Sequence, residues 1–262
     1  MTAVTQATPS LLMHQEGEGV VYLTLNRPRS RNSLSLDLIE QLHQQLNDLA
    51  VDDTVKVVVL AGVGPAFSAG HDLKEIQAGT QSLHETLFNR CSEMMLTLKS
   101  LPMPVIAQVH GMASAAGCQL VASCDLAVAG RSAQFAAPGV NIGLFCSTPM
   151  VPLSRAVQPK HALHMLLTGA PIDADTAWRK GLVSQVVDDE ALADTVLRLA
   201  RSIAGKSASS IRIGKAAFYE QLDLPEREAY ALAARVMTGN LRQPDAQEGI
   251  SAFLEKRAPI WR

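Results

Sequence analysis

The 262-residue sequence lacks the features that mark several large classes of protein. Its net charge is −2 and its pI about 6.4, which argues against a nucleic-acid binder that depends on a basic field. No run of 18 apolar residues occurs, so we expect no membrane span. The polar segment 1–10 lacks the apolar core of a secretory signal and the arginines of a transit peptide, and we therefore expect a cytoplasmic protein.

Cysteine is scarce, and its spacing fits neither a disulfide framework nor a metal site. The four cysteines, at positions 91, 118, 124 and 146, form no C-x-x-C pair and no Cys/His grouping with zinc-finger spacing. We expect a reducing compartment and no bound metal. The glycine pattern G-x-G-x-x-G is also missing, which disfavours a dinucleotide-binding enzyme.

The remaining pattern predicts strands and helices in alternation. Residues 18–26 alternate as a strand does, and the apolar run 55–60 is typical of a buried parallel strand. Further strands are predicted at 104–109, 125–129 and 133–136. A stripe of leucines from position 34 to 49 predicts an amphipathic helix capped by Ser33 or Ser35. Other helices are predicted at 83–99, at 115–123 and through most of 190–256.

Strand–helix repeats thus fill the first half of the chain, and helices fill the second. This order predicts an α/β layered core with a helical C-terminal section. We place the division between residues 1–195, which hold the α/β core and the candidate site, and residues 196–262, which form the helical region.

Two loops of small residues, 66–70 and 111–117, each follow an apolar strand. Ligands collect at the carboxyl ends of parallel strands, and small side chains let backbone N–H groups approach a ligand oxygen. The second loop leads into a helix, whose first amides are unpaired and partly positive. The alternative is that the small residues serve only close helix–sheet packing, and composition alone does not choose between the two.

Short motifs along nearly the whole chain favour the ligand site. They are N-R-P at 26–28, F-S-A-G-H-D-L-K at 67–74, P-V-I-A at 104–107, A-G-C-Q-L at 116–120, C-D-L-A-V-A at 124–129 and L-T-G-A-P-I-D-A at 167–174. In combination they resemble the crotonase family, the enoyl-CoA hydratases and isomerases. The runs 115–125 and 138–149 resemble one branch of that family more closely.

The resemblance implies a crotonase-type fold, a spiral of β-β-α units, with acyl- or enoyl-CoA as the small-molecule ligand. Coenzyme A is then part of the substrate, and no separate cofactor is expected. The resemblance also implies a role in fatty-acid metabolism and a homotrimer or a dimer of trimers. Residues 196–262 are then expected to serve oligomerisation and to complete the CoA pocket.

Carried over to this sequence, the family's oxyanion hole falls on the backbone N–H groups of His71 and Ala116. The family's two catalytic carboxylates fall on Gln119 and Gly139, neither of which can take up a proton usefully near neutral pH. We therefore expect hydration to be slow, and we expect Gln119→Glu with Gly139→Glu to raise it. The His71 imidazole, with Asp72 beside it, either carries a proton or simply lies along the groove.

The resemblance also assigns residues to the CoA moiety and the rest of the substrate. Arginines pair well with phosphates, although an ordinary solvated charge cluster is an equal alternative for the turn after the first strand. The adenine is expected near the loop that precedes His71. The candidate CoA- and substrate-binding residues are Arg29, Ser30, Arg31, Ser68, Ala69, Gly70, Asp72, Leu73, Lys74, Asn141, Phe253 and Lys256.

Three functional hypotheses remain from sequence. The first is an enzyme of the hydratase/isomerase type, with hydration itself in doubt. The second is another reaction on the same scaffold, isomerisation or thioester hydrolysis, that uses His71, Asp72 or a Cys146 thiolate near a helix N-terminus. The third is a binding or regulatory protein that keeps an acyl-CoA pocket without turnover. An inert buried cysteine is the commoner alternative for Cys146.

Overall fold

The structure, a computed structural model, describes residues 9–262, so residues 1–8, most of the segment from which the location was predicted, lie outside it. Its strands form a six-stranded sheet in the order β1-β2-β3-β4-β6-β9 and a three-stranded sheet in the order β5-β7-β8. The strands are β1 Leu11–Gly17, β2 Val20–Leu25, β3 Val57–Gly62, β4 Val105–Val109, β5 Met112–Ser114, β6 Leu126–Gly130, β7 Gln134–Ala136, β8 Ile172–Asp173 and β9 Gln185–Val187.

The parallel centre of the large sheet explains the apolar runs. β3 pairs with β2 on one side and with β4 on the other, and Val57 to Ala61 are all buried. A strand covered on both faces has no solvated side, so it needs no polar alternation. β1 joins the edge antiparallel to β2, with most of its side chains exposed. It was not predicted, because its sequence has no buried face to impose a period of two.

The predicted helices are present, with small shifts at their ends. The helices are α1 Leu36–Ala50, α2 Leu73–Ala78, α3 Gln81–Ser100, α4 Ala116–Ser123, α5 Ser147–Ala156, α6 Pro159–Thr168, α7 Ala174–Arg179, α8 Leu192–Ala204, α9 Ala208–Leu222, α10 Glu226–Asn240 and α11 Pro244–Glu255. Ser35 caps α1 by accepting a hydrogen bond from the Leu38 amide, as the sequence predicts for one of two serines.

Two apolar layers cover the sheet. The larger joins α1, α3 and α4 to one face, and the smaller joins Leu192, Val196 and Ala200 of α8 to the other face. The proposed division after residue 195 therefore falls inside a helix that packs as a unit on the sheet. A two-part organisation stays a prediction, and the packing moves its boundary to Gly205, where α8 ends.

The helices beyond Gly205 are attached to the core through a buried ion pair. Lys215 on α9 donates to Asp125 at 2.7 Å and to the Met103 carbonyl at 2.9 Å. Asp125 also accepts from the Tyr219 hydroxyl and from the Val105 amide. These bonds satisfy both charges away from water and fix α9 against the start of β4.

Candidate functional site

The two loops of small residues lie side by side beyond the ends of β3 and β4. Bridges join Ala66 to Gly111 and Ser68 to Ala113. A Cβ atom at Gly117 would overlap the Ser68 carbonyl group. Gly70, with φ +88°, comes so close that a Cβ there would lie 3.1 Å from the Ala116 nitrogen. The glycines are therefore required for the loops to touch, so the small residues do serve close packing, and their role in binding a ligand stays a prediction.

Backbone strain sets the start of α4. Ala115 has φ +49° and ψ −114°, a conformation that is unfavourable for any residue with a Cβ atom. Its amide donates to the Ala136 carbonyl, and its carbonyl accepts from the Gln119 amide. The strained residue thereby turns the chain so that Ala116 opens the helix.

Two backbone amides at this point, those of His71 and Ala116, have no backbone hydrogen-bond acceptor among the described residues. Leu34 pairs with the groups on either side of the His71 amide, since its N–H donates to Gly70 and its carbonyl accepts from Asp72. Two such donors on touching loops can bind one oxygen atom from two directions.

A cavity of about 570 Å³ opens beside His71 and Ala115, whereas Ala116 is fully buried and does not line it. Its lining includes His71, Ile76 and Phe88 on one part of the chain, and Gly139 with residues 141, 142 and 144–149 on another. Among the described residues, no Asp, Glu, Lys or Arg lines it. Its rim is apolar and open to solvent: Leu73 is 54% exposed, and the other exposed rim residues are Ile142, Leu144 and Phe145. Such a wall suits an uncharged, largely hydrocarbon group.

The His71 imidazole is fixed in this wall and is neutral. Its ring meets the Phe88 ring edge to face, with centroids 5.1 Å apart. Burial lowers the pKa of His71 to about 4, because the protonated form would lose its hydration. Its Nε2 atom is buried and has no hydrogen-bond partner among the described residues.

Asp72 is bonded to groups other than His71, which does not favour the hypothesis that the two side chains act together. Its carboxylate accepts from Arg27 at 3.0 Å, from the Ser33 hydroxyl at 3.1 Å and from the Lys74 amide at 3.2 Å. Partial burial would raise the pKa of Asp72, but these hydrogen bonds outweigh it and hold the pKa below its usual value. Asp72 therefore caps α2 and joins it to the turn that contains Arg27.

The two positions of the expected carboxylates are both buried. Gln119 is 2% exposed, does not line the cavity, and its Oε1 atom has no partner among the described residues. Gly139 leaves no room for a side chain: a Cβ atom would lie 2.9 Å from the Leu144 carbonyl oxygen and 3.0 Å from Cys146 Sγ. The glycine is therefore a packing requirement of this segment.

Cys146 is a thiol held against Gly139. Its Sγ accepts from the Gly139 amide at 3.3 Å, and burial raises its pKa, against the opposing effect of that hydrogen bond. The expected thiolate at the start of α5 is therefore not favoured. Cys91, Cys118 and Cys124 are also free, and burial raises their pKa values.

Ten of the candidate CoA-binding residues divide into four groups, and Gly70 and Asp72 have been placed above. Arg29, Arg31 and Lys74 are exposed and form no ion pair among the described residues, so they are available to phosphates. The Ser30 hydroxyl instead donates to the Arg27 carbonyl of its own turn, and the Ser68 hydroxyl donates to the Asn32 carbonyl of a different segment. The buried Ser68 side chain does not line the cavity. Ala69, Leu73 and Asn141 line the cavity. Phe253 and Lys256, at the end of α11, do not line it.

Comparison with known proteins identifies the family of this chain. The family model described as "Enoyl-CoA hydratase/isomerase" matches residues 15–262. The chain belongs to the enoyl-CoA hydratase/isomerase family. It is 47% identical over 260 residues to mouse "Enoyl-CoA hydratase domain-containing protein 3, mitochondrial", which covers 99% of this chain and 87% of that protein.

Solved structures establish the crotonase fold. An enoyl-CoA hydratase from Mycobacterium smegmatis superposes with a TM-score of 0.95 at 50% identity and covers 97% of this chain and 99% of that one. Human enoyl-CoA hydratase domain-containing protein 3 superposes with a TM-score of 0.94 at 46% identity, covering 97% and 100%. The branch of the crotonase family indicated by runs 115–125 and 138–149 is this one, and that prediction is confirmed.

The predicted cytoplasmic location is wrong. Relatives from mouse, rat, zebrafish, frog and human that are 46–47% identical to this crotonase-family chain are named as mitochondrial. The prediction used unpaired cysteines and the composition of a ten-residue segment. Free thiols indicate a reducing environment, which is not specific to one compartment.

The described residues contain neither a metal-binding cluster nor a membrane-spanning helix. Within residues 9–262, no group of three or more His, Cys, Asp and Glu side chains could hold a metal ion. In the same part of this crotonase-family chain, no helix has both the length and the apolar character to cross a membrane.

Sequence reasoning missed some parts of the site. Phe88 looks like an ordinary helix residue, and only the packing of α3 brings it to His71. The strain at Ala115 has no signal either, because positive φ is expected at Gly or Asn. The contact between Gly139 and Cys146 follows from a tight turn in which the Leu144 amide donates to the Gly139 carbonyl.

Proposed function

We propose that this chain binds an acyl- or enoyl-CoA thioester and polarises its carbonyl group, within fatty-acid metabolism. The observation that most supports this is that the His71 and Ala116 amides, on touching loops, have no backbone acceptor, and that His71 and Ala115 line a cavity without charged side chains among the described residues. Two N–H donors at one oxygen stabilise an enolate-like charge more than a neutral carbonyl, because hydrogen bonds to an anion are stronger. Membership of the family is consistent with this ligand class.

The proposed site is poor in groups that transfer protons. The Gln119 amide is buried behind the cavity wall and could not take a proton from water if it were reached, and Gly139 has no side chain. The His71 pKa of about 4 makes its imidazole a weak base at neutral pH. Since each general acid or base contributes roughly 10²–10⁴-fold, we expect hydration to be at least about 10²-fold slower than in an enzyme with both carboxylates.

A protein that binds acyl-CoA without turnover is the second candidate. The absence of acidic side chains among the described residues of the cavity wall favours it. Isomerisation or thioester hydrolysis is less well supported, because Asp72 is held by Arg27 and Cys146 is a thiol.

We propose that the CoA moiety binds along the exposed basic side chains Arg29, Arg31 and Lys74. In a single chain Phe253 is 82% exposed, too large an apolar surface to leave in water together with its apolar neighbours on α10 and α11. A homotrimer or a dimer of trimers would cover this surface and would allow Phe253 and Lys256 to complete the CoA pocket of a neighbouring copy.

The test is incubation of the purified protein with crotonyl-CoA and longer enoyl- and acyl-CoAs, with binding and product both followed by mass spectrometry. The same acyl groups on N-acetylcysteamine, which lacks the nucleotide, are the matched ligands for the basic side chains. Binding with slow product formation supports an enzyme, and binding without product supports the second candidate. Hydration at an ordinary enzymatic rate would contradict the role given to the missing carboxylates. Failure to bind any CoA thioester would contradict the whole proposal.

A further inference from the structure

The His71 amide belongs to a peptide group whose orientation is fixed from behind. Its N–H shares one planar unit with the Gly70 carbonyl, and in a trans peptide these two bonds point in opposite directions. The Gly70 carbonyl accepts from the Leu34 amide at 2.7 Å. The hydrogen bond from Leu34 therefore decides the direction of the His71 N–H, which points away from Leu34.

A second peptide group stands behind the first. The Leu34 N–H shares its planar unit with the Ser33 carbonyl, and that carbonyl accepts from Arg27 Nη1 at 2.5 Å. The hydrogen bonds therefore run in one direction, from the Arg27 guanidinium through two peptide units to the His71 N–H. We call this series, Arg27 to Ser33–Leu34 to Gly70–His71, the amide relay.

Asp72 holds the charged end of the amide relay in place. Its carboxylate accepts from Arg27 Nη2 at 3.0 Å and from the Ser33 hydroxyl at 3.1 Å, so each end of the guanidinium has its own acceptor. The Asp72 amide also donates to the Leu34 carbonyl at 3.1 Å. The side chains of Arg27 and Asp72 are only 27% and 17% exposed, so water and salt screen this pair less than a surface pair.

The Ala116 amide is supported in a different way. Its planar unit contains the Ala115 carbonyl, which accepts from the Gln119 amide in the first turn of α4. The direction of the Ala116 N–H is therefore set by the strained backbone of Ala115 and by an ordinary helical hydrogen bond. The series behind His71 differs because it starts at a cation.

Hydrogen bonds in series strengthen one another. A peptide unit whose carbonyl accepts a hydrogen bond becomes a better donor at its N–H, by roughly 10–30% per bond, and a charged donor is about twice as strong as a neutral one. The amide relay therefore both aims the His71 N–H and polarises it. The effect is largest when the acceptor carries developing negative charge, as a thioester oxygen does in an enolate-like state.

We propose that Arg27 is a positioning residue, which aims and polarises the His71 amide toward the thioester oxygen through the amide relay. This inference rests on the proposed function, in which the His71 N–H binds that oxygen. Asp72 acts one step further back, because it holds the guanidinium in the orientation that reaches Ser33. Neither side chain needs to touch the ligand.

The test uses two ligands that differ in one oxygen atom, butyryl-CoA and its thioether S-butyl-CoA, in isothermal titration calorimetry. The ratio of their Kd values reports the contact with the thioester oxygen, because the CoA moiety is the same in both. The wild type should bind butyryl-CoA about tenfold more tightly, the usual effect of one net hydrogen bond. Arg27→Ala should lower this preference to about threefold or less, and Arg27→Lys, which keeps the charge without the fork, should retain more of it.

Infrared difference spectroscopy of bound crotonyl-CoA, labelled with ¹³C at the carbonyl, gives a second readout. Hydrogen bonding lowers the C=O stretching frequency, so Arg27→Ala should raise the frequency of the bound ligand toward that of the free one. A purely structural role would change stability without moving this band. Arg131→Ala, which breaks an exposed pair with Asp188 at 3.0 Å, is the matched control and should change neither readout. Arg31→Ala, on the same turn as Arg27, should weaken both ligands and keep their ratio.

The outcomes separate this inference from the proposed function. A wild-type preference for butyryl-CoA that persists in Arg27→Ala, with an unmoved carbonyl band, would overturn the role of Arg27 alone. Equal wild-type affinities for the two ligands would overturn both the carbonyl contact and this inference, and a wild type that binds neither would overturn the whole proposed function. If Arg27→Ala does not fold, Asp72→Asn takes its place, and a full wild-type ratio and band in that variant are equally contrary to the inference.

Discussion

The packing around Gly139 predicts that even a methyl group is not tolerated there. A Cβ atom would lie 2.9 Å from the Leu144 carbonyl oxygen, 3.0 Å from Cys146 Sγ and 3.2 Å from the Cys146 nitrogen. Two of these three atoms belong to the backbone and cannot move without shifting the turn. Overpacking of this kind costs about 1–3 kcal/mol, so Gly139→Ala should lower the free energy of unfolding by that amount.

The assay is chemical unfolding, with thermal unfolding beside it. In a chain of this length the melting temperature should fall by a few degrees, on the order of 5 °C. Gly214→Ala is a control of opposite sign, because Gly214 lies within α9 and a Cβ there meets nothing within 4 Å. That variant should gain about 0.5–1 kcal/mol from helix propensity.

The same argument changes the expectation for restored carboxylates. Glutamate at position 139 must displace the segment 144–146, so Gly139→Glu with Gln119→Glu should unfold more easily and should not raise hydration of crotonyl-CoA. If Gly139→Ala were as stable as the wild type, the contact with Leu144 and Cys146 would be wrong. If the double variant kept the wild-type melting temperature and hydrated crotonyl-CoA 10²-fold faster or more, the glycine would be a tolerated loss of a catalytic group.

Three further predictions concern the charge pair, the histidine and the strained turn. Lys215→Ala should lower the free energy of unfolding in urea by about 3–5 kcal/mol, because it leaves Asp125 buried without its cation. The double variant Lys215→Ala with Asp125→Asn should recover part of that loss. An equal loss in the single and the double variant would contradict the coupling. The pKa of His71 is about 4 in the folded protein and about 6.5 in the unfolded chain, so the unfolded chain binds the proton first as the pH falls. The free energy of unfolding should therefore fall by up to about 3 kcal/mol between pH 6.5 and a pH below 4. His71→Phe should lack this component, and a carbon-detected NMR titration of His71 near pH 6.5 would refute it. Ala115→Gly should leave stability unchanged or raise it by about 1 kcal/mol, because glycine adopts φ +49° without strain; a clear loss in thermal unfolding would contradict the strain.

Much of the fold follows from local sequence. The leucine stripe places α1, with Leu38, Leu42 and Leu46 all buried, because a helix repeats its face every 3.6 residues whatever surrounds it. The valine run of β3 likewise predicts a buried strand. The edge strand β1 was not predicted, since an exposed strand has no apolar face to show a period of two.

The sequence by itself determined the α/β order and the two loops of small residues, because apolar periods and glycine positions are local properties, and its motifs indicated the family by resemblance. It also determined that Gln119 and Gly139 stand where carboxylates are expected. Only the tertiary structure decided what these positions mean. Leu144 and Cys146 pack against Gly139, and Arg27 donates a hydrogen bond to Asp72. Phe88, which lies on a separate helix, packs against the His71 imidazole. These contacts join residues that are distant in the chain or lie across a tight turn. The His71 pKa of about 4 and its unpaired Nε2 atom both result from burial, and burial depends on the packing of several segments.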